Sequence, residues 1–308
     1  NREVYAINQD GTGTTRLTNN NVADGDPSWS PSGGQLAFES FRDGDSEVYT
    51  MNNDGSSVTR LTFATGEDRG TSWTSDGKIV FHSQRVPGSG GVGGEHGNFD
   101  VFIMNADGTD QVNLTPGTEN SQDSAAYACG NSTSGKIVFN TNRDGNFEIY
   151  SINMDGTGVT RLTNNLALDS GPTWSPDCSQ IAFNSAREDN QLDVYKMNAD
   201  GSGVVNLTNS KNSFDAFSAW SPDGSKLVYS SDDLQGDFEL YTMNAADGSG
   251  RTRITFSRNA DLRSDWGTAA YLVVGPPTSA EQCKDDGWRN FNNPVFQDQG
   301  DCVDEFGS

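Results

Sequence analysis

A chain of 308 residues with a net charge of −23 repels phosphate backbones over most of its surface, so nucleic acid is excluded as a partner. Only 32% of the residues are hydrophobic, no apolar run approaches the length of a membrane span, and 35 glycines point to frequent turns. Four cysteines in no zinc spacing favour disulfides and an oxidising compartment.

The chain opens on Asn1-Arg2-Glu3-Val4-Tyr5, which matches Asn146-Phe147-Glu148-Ile149-Tyr150 further along, so it starts inside a repeating unit. No signal peptide is present, and a mature exported chain would have lost one. The first complete unit runs from Asp24 to Thr62 and reads as four short strands at 27–30, 35–40, 47–52 and 58–61. Turn chemistry separates them: Ser30-Pro31-Ser32-Gly33, then Asp43-Gly44, then Asp54-Gly55.

Three landmarks then recur together. Leu-Thr or Ile-Thr closes a unit at Leu17, Leu61, Leu114, Leu162, Leu207 and Ile254. Asp-Gly precedes each closure at Asp10, Asp54, Asp107, Asp155, Asp200 and Asp247, and an aromatic marks each first strand at Trp29, Trp73, Tyr127, Trp174, Trp220 and Trp266. A period of about 45 residues with four strands per unit is the signature of a β-propeller, in which each sheet buries its faces against its neighbours. The expected fold is therefore all-β: six four-stranded antiparallel blades over residues 1–275. Aromatics at Phe38, Phe81, Phe139, Phe183 and Tyr229, and at Tyr5, Tyr49, Phe102, Tyr150, Tyr195 and Tyr241, read as filler between sheets.

The unit after Asp68 is longer than the others, with VPGSGGVGGEHG between Arg85 and Asn98. No strand-to-helix transition adjoins these glycines, so they form no phosphate cradle, and a flap spanning Gly88 to Gly94 over one face is expected. At the far end, Ser264-Asp265-Trp266 reads as a first strand and 270–274 as a second. Pairing them with the N-terminal strands would close the ring and remove its exposed edges. Pro276-Pro277 then opens a tail, 276–308, in which Cys283 and Cys302 would close a disulfide loop. Cys129 and Cys178 occupy comparable sites in consecutive units and could bridge them.

The segments Asp26-Pro27-Ser28-Trp29-Ser30-Pro31, Trp174-Ser175-Pro176-Asp177 and Trp220-Ser221-Pro222-Asp223-Gly224, with Tyr-x-Met-Asn-x-Asp-Gly and Leu-Thr, closely resemble TolB-type propeller repeats. The resemblance covers about nine tenths of the chain. It implies a six-bladed propeller, secreted or periplasmic, that binds a protein or ligand through one face. The N-terminal α/β domain of TolB itself is absent here, so its particular role in the cell envelope does not carry over. The tail resembles a short Cys-Lys-x-x-Gly-Trp segment at the C-terminus of many secreted bacterial proteins, which is suggestive of export.

An aspartate lies before each aromatic: Asp24, Asp68, Asp123, Asp169, Asp215 and Asp261. Six carboxylates leading into the innermost strands should crowd the channel mouth, and they repel one another unless compensated. Either Arg42, Arg85, Arg143 and Arg187 pair with them and hold neighbouring blades together, or Ca²⁺ or a similar hard cation sits among them. No cofactor is otherwise required. The two histidines, His82 and His96, both belong to the long unit; with Glu95 and Gln84 they could form an acid/base or metal site like that of propeller polysaccharide lyases. His82 also matches Glu39, Asn140, Asn184 and Ser230, a variable polar position, which reads as a solvated strand end. No Gly-x-Ser-x-Gly elbow is present. Asn113-Leu-Thr115 and Asn206-Leu-Thr208 look like glycosylation sequons produced by the repeat itself, and Asn131-Ser-Thr133 reads as a coincidental match.

The sequence thus points to an extracytoplasmic module that binds a protein or peptide, in particular a basic one, through its acidic channel mouth. The alternatives are a carbohydrate-active propeller, as a polysaccharide lyase or glycan binder, and a self-associating subunit of an extracellular array or filament.

Overall fold

The computed structural model describes residues 2–85, 98–117, 121–188, 190–211, 213–232, 237–256 and 260–267. These belong to one compact unit, Asn1–Gly267; a second, Thr268–Ser308, lies outside the described residues, and with it the expected Cys283–Cys302 loop.

The unit read from Asp24 to Thr62 is a blade whose four antiparallel strands pair in chain order: Asp24–Trp29, Gln35–Asp43, Asp45–Asn52 and Thr59–Arg60. Four more sheets repeat this order, at 68–113, 123–161, 169–206 and 215–253. We number these five blades 1 to 5. The expected count of six four-stranded blades is corrected accordingly. Among the described residues there are five, with a two-stranded sheet in which Tyr5–Ala6 pairs with Thr15–Arg16. Of the first two strands expected to complete that sheet, 264–266 forms no strand and 270–274 lies outside the described residues. The physical reason lies in how 264–266 is held. The Asp265 carboxylate accepts the Trp29 backbone N–H at 2.9 Å, and Trp266 packs on Ala219, Val228, Leu240 and Ile254 of blade 5, so side chains and not a ladder fix the segment.

Apolar burial lies between blades. Ala37, Val48 and Leu61 of blade 1 pack on Ile79, Phe81, Phe102 and Met104 of blade 2, and Val138 and Ile149 of blade 3 on Trp174, Ile181, Phe183 and Met197 of blade 4. Val4 and Leu17 of the two-stranded sheet meet Leu36, Phe38 and Met51 of blade 1 in the same way. Within each blade the two aromatic positions are cross-strand partners, Phe38 with Tyr49 and Phe183 with Tyr195, their ring centroids 5.8 and 5.7 Å apart. Two of the first-strand tryptophans reach back to the preceding blade: the Trp73 indole N–H donates to Ser28 O and that of Trp220 to Thr173 O, both at 3.2 Å.

The Leu-Thr closure has its own chemistry. Thr62 Oγ1 accepts the Val48 backbone N–H at 2.9 Å and donates to the buried Glu47 carboxylate at 2.5 Å, whose other oxygen takes Arg60. Thr18 with Glu3 and Arg16, Thr163 with Glu148 and Arg161, and Thr255 with Glu239 and Arg253 repeat the pin. Where the acid shortens to Asp100 or Asp193, the partner becomes Asn113 or Asn206, at 2.7 and 2.9 Å. These two asparagine amides are therefore engaged inside the pin. The Asp-Gly turn docks blade on blade: a Cβ on Gly55, at φ +83°, would lie 2.5 Å from the Leu17 carbonyl oxygen. Gly11 stands against Ile254 in the same way, as do Gly108, Gly156, Gly201 and Gly248 against the preceding closures.

Cys129, ending the first strand of blade 3, is disulfide-bonded to Cys178 in the first turn of blade 4, with Cα atoms 5.9 Å apart. The expected bridge between consecutive blades is present.

Candidate functional site

Asp24, Asp68, Asp123, Asp169 and Asp215 open the five first strands and are no more than 1% exposed. The first four meet the guanidiniums of Arg42, Arg85, Arg143 and Arg187 at 3.2, 2.6, 2.9 and 2.8 Å, each arginine coming from the same blade as its acid. Each guanidinium also lies over the blade's aromatic pair, as Arg187 does over Phe183 at 5.4 Å and Tyr195 at 4.9 Å. The pairs thus stiffen single blades. The link to the preceding blade is the aspartate backbone N–H, which donates to Arg2 O from Asp24, to Phe99 O from Asp123 and to Phe238 O from Asp261. Asp215 accepts instead from the Ser210 hydroxyl at 2.6 Å, and burial pushes its carboxyl up. No group of three or more His, Cys, Asp or Glu side chains suited to a metal ion occurs among the described residues.

Two residues past each of these five aspartates the first strand bulges, with a left-handed residue at Asp26, Gly70, Ala125, Gly171 and Phe217, and Arg263, two residues past Asp261, is left-handed too. The second-strand position that holds Glu39, His82, Asn140, Asn184 and Ser230 faces this bulge. In blades 3 and 4 it is structural: Asn140 Oδ1 accepts the Gly171 N–H, and Asn184 Oδ1 the Phe217 N–H, both at 3.1 Å, so an amide of one blade caps the bulge of the next. In blades 1 and 2 the position carries ionisable groups instead, and the capping bonds are missing.

Glu39 and His82 face a cavity of about 410 Å³, lined also by Arg2, Asp26, Arg69 and Arg263. Glu39 is 4% and His82 8% exposed, and Glu39 Oε2, His82 Nδ1, Asp26 Oδ1 and Arg69 Nε are all buried without a hydrogen-bond partner. Burial, reinforced by Asp26, pushes the Glu39 carboxyl up to about 7 against the pull of Arg69, Arg263 and Arg2. Burial, with Arg263 and Arg69, holds the His82 imidazole down at about 3, so it is neutral and can offer a donor and an acceptor. Its ring lies edge-on to Phe99 at 4.8 Å. Arg263 reaches Asp26 at 2.6 Å, and Arg69 reaches Glu67 at 2.8 Å.

Of the two histidines singled out from the sequence, His82 is buried in this chamber and not at a solvated strand end. His96, Glu95 and the segment Gly88 to Gly94 lie outside the described residues. Glu39, Asp26, Arg69 and Arg263 escaped the sequence reading. The available signal was the break in the repeat at Glu39 and His82, where blades 3 and 4 carry asparagine and blade 5 carries Ser230.

The family model of the TolB beta propeller domain matches residues 1–129, 125–214 and 170–275. The chain belongs to the TolB β-propeller family. TolB from Acinetobacter baumannii superposes with a TM-score of 0.70 at 18% identity, over 85% of this chain and 62% of that one, so the chain spans less than two thirds of its length. A protein assigned as TolB from Agrobacterium tumefaciens gives 0.68 at 23% identity, over 85% of this chain and 92% of its own. Oligogalacturonate lyase from Vibrio parahaemolyticus gives 0.56 at 16%, over 84% and 73%. At these identities the likeness is one of fold. No curated protein matches the chain.

Proposed function

We propose that this TolB-family propeller is an extracytoplasmic binding module that takes a protein or peptide partner at the mouth of its central channel. The observation that carries the reading is the chamber itself: buried polar atoms of Asp26, Glu39, Arg69 and His82 stand unpaired around a cavity, an arrangement that costs stability unless something fills it. Such a site suits an inserted polar group. The Cys129–Cys178 bridge and the family relationship support an oxidising compartment outside the cytoplasm. The Gly11 contact with Ile254 and the Trp29 bond to Asp265 support a ring in which the two-stranded sheet lies between blade 5 and blade 1. A net charge of −23 steers a basic partner towards the propeller, with association slowing as salt rises.

The test is capture from secreted and cell-surface material by immobilised protein, compared with Ser124→Trp. Ser124 lines the chamber and belongs to no apolar core between blades, so its replacement fills the space at the cost of the one bond its hydroxyl accepts from Asn140 Nδ2, at 2.9 Å. One or a few proteins should be retained by the wild type and lost by the variant. An empty capture, or one indifferent to Ser124→Trp, would remove the proposal.

A further inference from the structure

The chamber is unlike the rest of the molecule. Over the whole chain acids outnumber bases 43 to 20, yet here three guanidiniums, Arg2, Arg69 and Arg263, converge on two carboxyls, Asp26 and Glu39. One of those carboxyls, Asp26, takes Arg263 on one oxygen at 2.6 Å and leaves its other oxygen unpaired. The other has a buried oxygen without a partner and is half protonated near neutrality. Arg69 turns a terminal nitrogen to Glu67 but leaves its Nε–H buried and unused. His82 adds a neutral ring with its Nδ1 unpaired. The donors left over are the Arg2 guanidinium, the Arg69 Nε–H and, in one tautomer, His82 Nδ1, set beside the unpaired oxygens of Asp26 and Glu39, and donors so placed suit an anion with two acceptor oxygens.

We infer that the chamber is a receptor for a single carboxylate group presented by the peptide partner, held by Arg69 with Arg2, Glu39 and His82 around it. The inference rests on the channel mouth being the binding face. The charge of the whole chain selects among carriers of that group. A polyanion such as a uronate chain must approach against −23, whereas a neutral or basic peptide brings one carboxylate to the guanidiniums of Arg2, Arg69 and Arg263 without that opposition. Protonated Glu39 can donate to the incoming oxygen, and ionised Glu39 repels it. Binding is therefore coupled to proton uptake, with Asp26, Arg2, Arg69, Arg263 and the neutral His82 as the other polar groups facing Glu39.

Only two histidines occur in the chain, so the imidazole resonances of His82 give a direct readout by NMR, assigned through His82→Asn. The probes are N-acetyl-trialanine as free acid, the same peptide as its amide, and trigalacturonate. The free acid should shift His82 saturably and the amide should leave it unmoved. Arg69→Gln should weaken the acid about tenfold or more, the usual size of a lost charge-assisted hydrogen bond. Wild type should bind the acid up to about tenfold more tightly at pH 6 than at pH 8, following the fraction of protonated Glu39, while Glu39→Gln binds equally at both. Equal shifts with the amide, no His82 response to the acid at about 10 mM, tighter binding of trigalacturonate than of the peptide acid, or a pH dependence that survives Glu39→Gln would each overturn the inference. Failure separates cleanly from that of the proposed function: a captured protein that is lost with Ser124→Trp but bound normally by Arg69→Gln and Glu39→Gln leaves the binding role standing and removes the carboxylate.

Discussion

Replacing Arg187 by methionine tests whether the repeated acid–guanidinium pairs stabilise the single blades that contain them. Asp169 is fully buried, its carboxylate lies 2.8 Å from the guanidinium, and the arginine side chain is 24% exposed. Two unit charges about 4 Å apart attract by about 4 kcal/mol at the effective dielectric of such sites, and the partial exposure of Arg187 trims that to about 3 kcal/mol. Methionine keeps much of the apolar contact with Phe183 and Tyr195, so the loss reports mainly the uncompensated carboxylate. In thermal unfolding followed by tryptophan fluorescence the midpoint should fall by roughly 6–9 °C. Adding Asp169→Asn to Arg187→Met should restore part of the loss, because no buried charge then remains. A loss below about 1 kcal/mol, the level of an exposed surface pair, or a double variant worse than the single, would refute the reasoning.

Three further outcomes are expected. Cys129→Ala/Cys178→Ala should lose about 2–4 kcal/mol in urea unfolding, since the bridge closes a loop of about 50 residues; reductant should reproduce the loss in the wild type, and a change below about 1 kcal/mol would count against it. Glu39, raised to about 7 when folded, stabilises at low pH and loses that contribution as pH rises towards and through 7, so Glu39→Gln should gain on wild type between about pH 5 and 8. A constant difference across that range would show that Glu39 does not titrate as its burial demands. Asp24, Asp68, Asp123 and Asp169 already face guanidiniums, so melting should be indifferent to calcium and to chelator. A midpoint that climbs with calcium, by about 1.4 kcal/mol per tenfold excess over Kd, would establish a cation site instead.

What was legible in the sequence was what every blade must repeat. Leu-Thr recurs because the threonine hydroxyl serves a backbone N–H and a buried acid together, and tryptophan recurs because its ring packs into the apolar clusters between blades. The outer strand, expected at 58–61, shrinks to Thr59–Arg60 because the pin through Thr62 takes over where the ladder stops. The acids were visible, but their direction was not: Asp24 pairs across the sheet with Ser40, which turns its carboxylate into the blade and under Arg42. The chamber was hidden for the opposite reason. Glu39 and His82 matter because they depart from the repeat, and a reading that aligns blades to find agreement treats such a position as variable surface. Asn140 and Asn184 show that it is a capping position, so an ionisable residue there forfeits a bond.

The glycine that meets the preceding closure bears on how such a chain can grow. Each unit carries both halves of its joint, a leucine carbonyl at its end and a turn without a side chain to receive the one before. A duplicated copy would arrive with its own socket and its own plug, needing no matched change in its neighbours to dock. Addition is then limited by where the circle meets itself, at Gly11 and Ile254. There the same joint must join the two most distant parts of the unit, and a misfit would be felt by every blade at once.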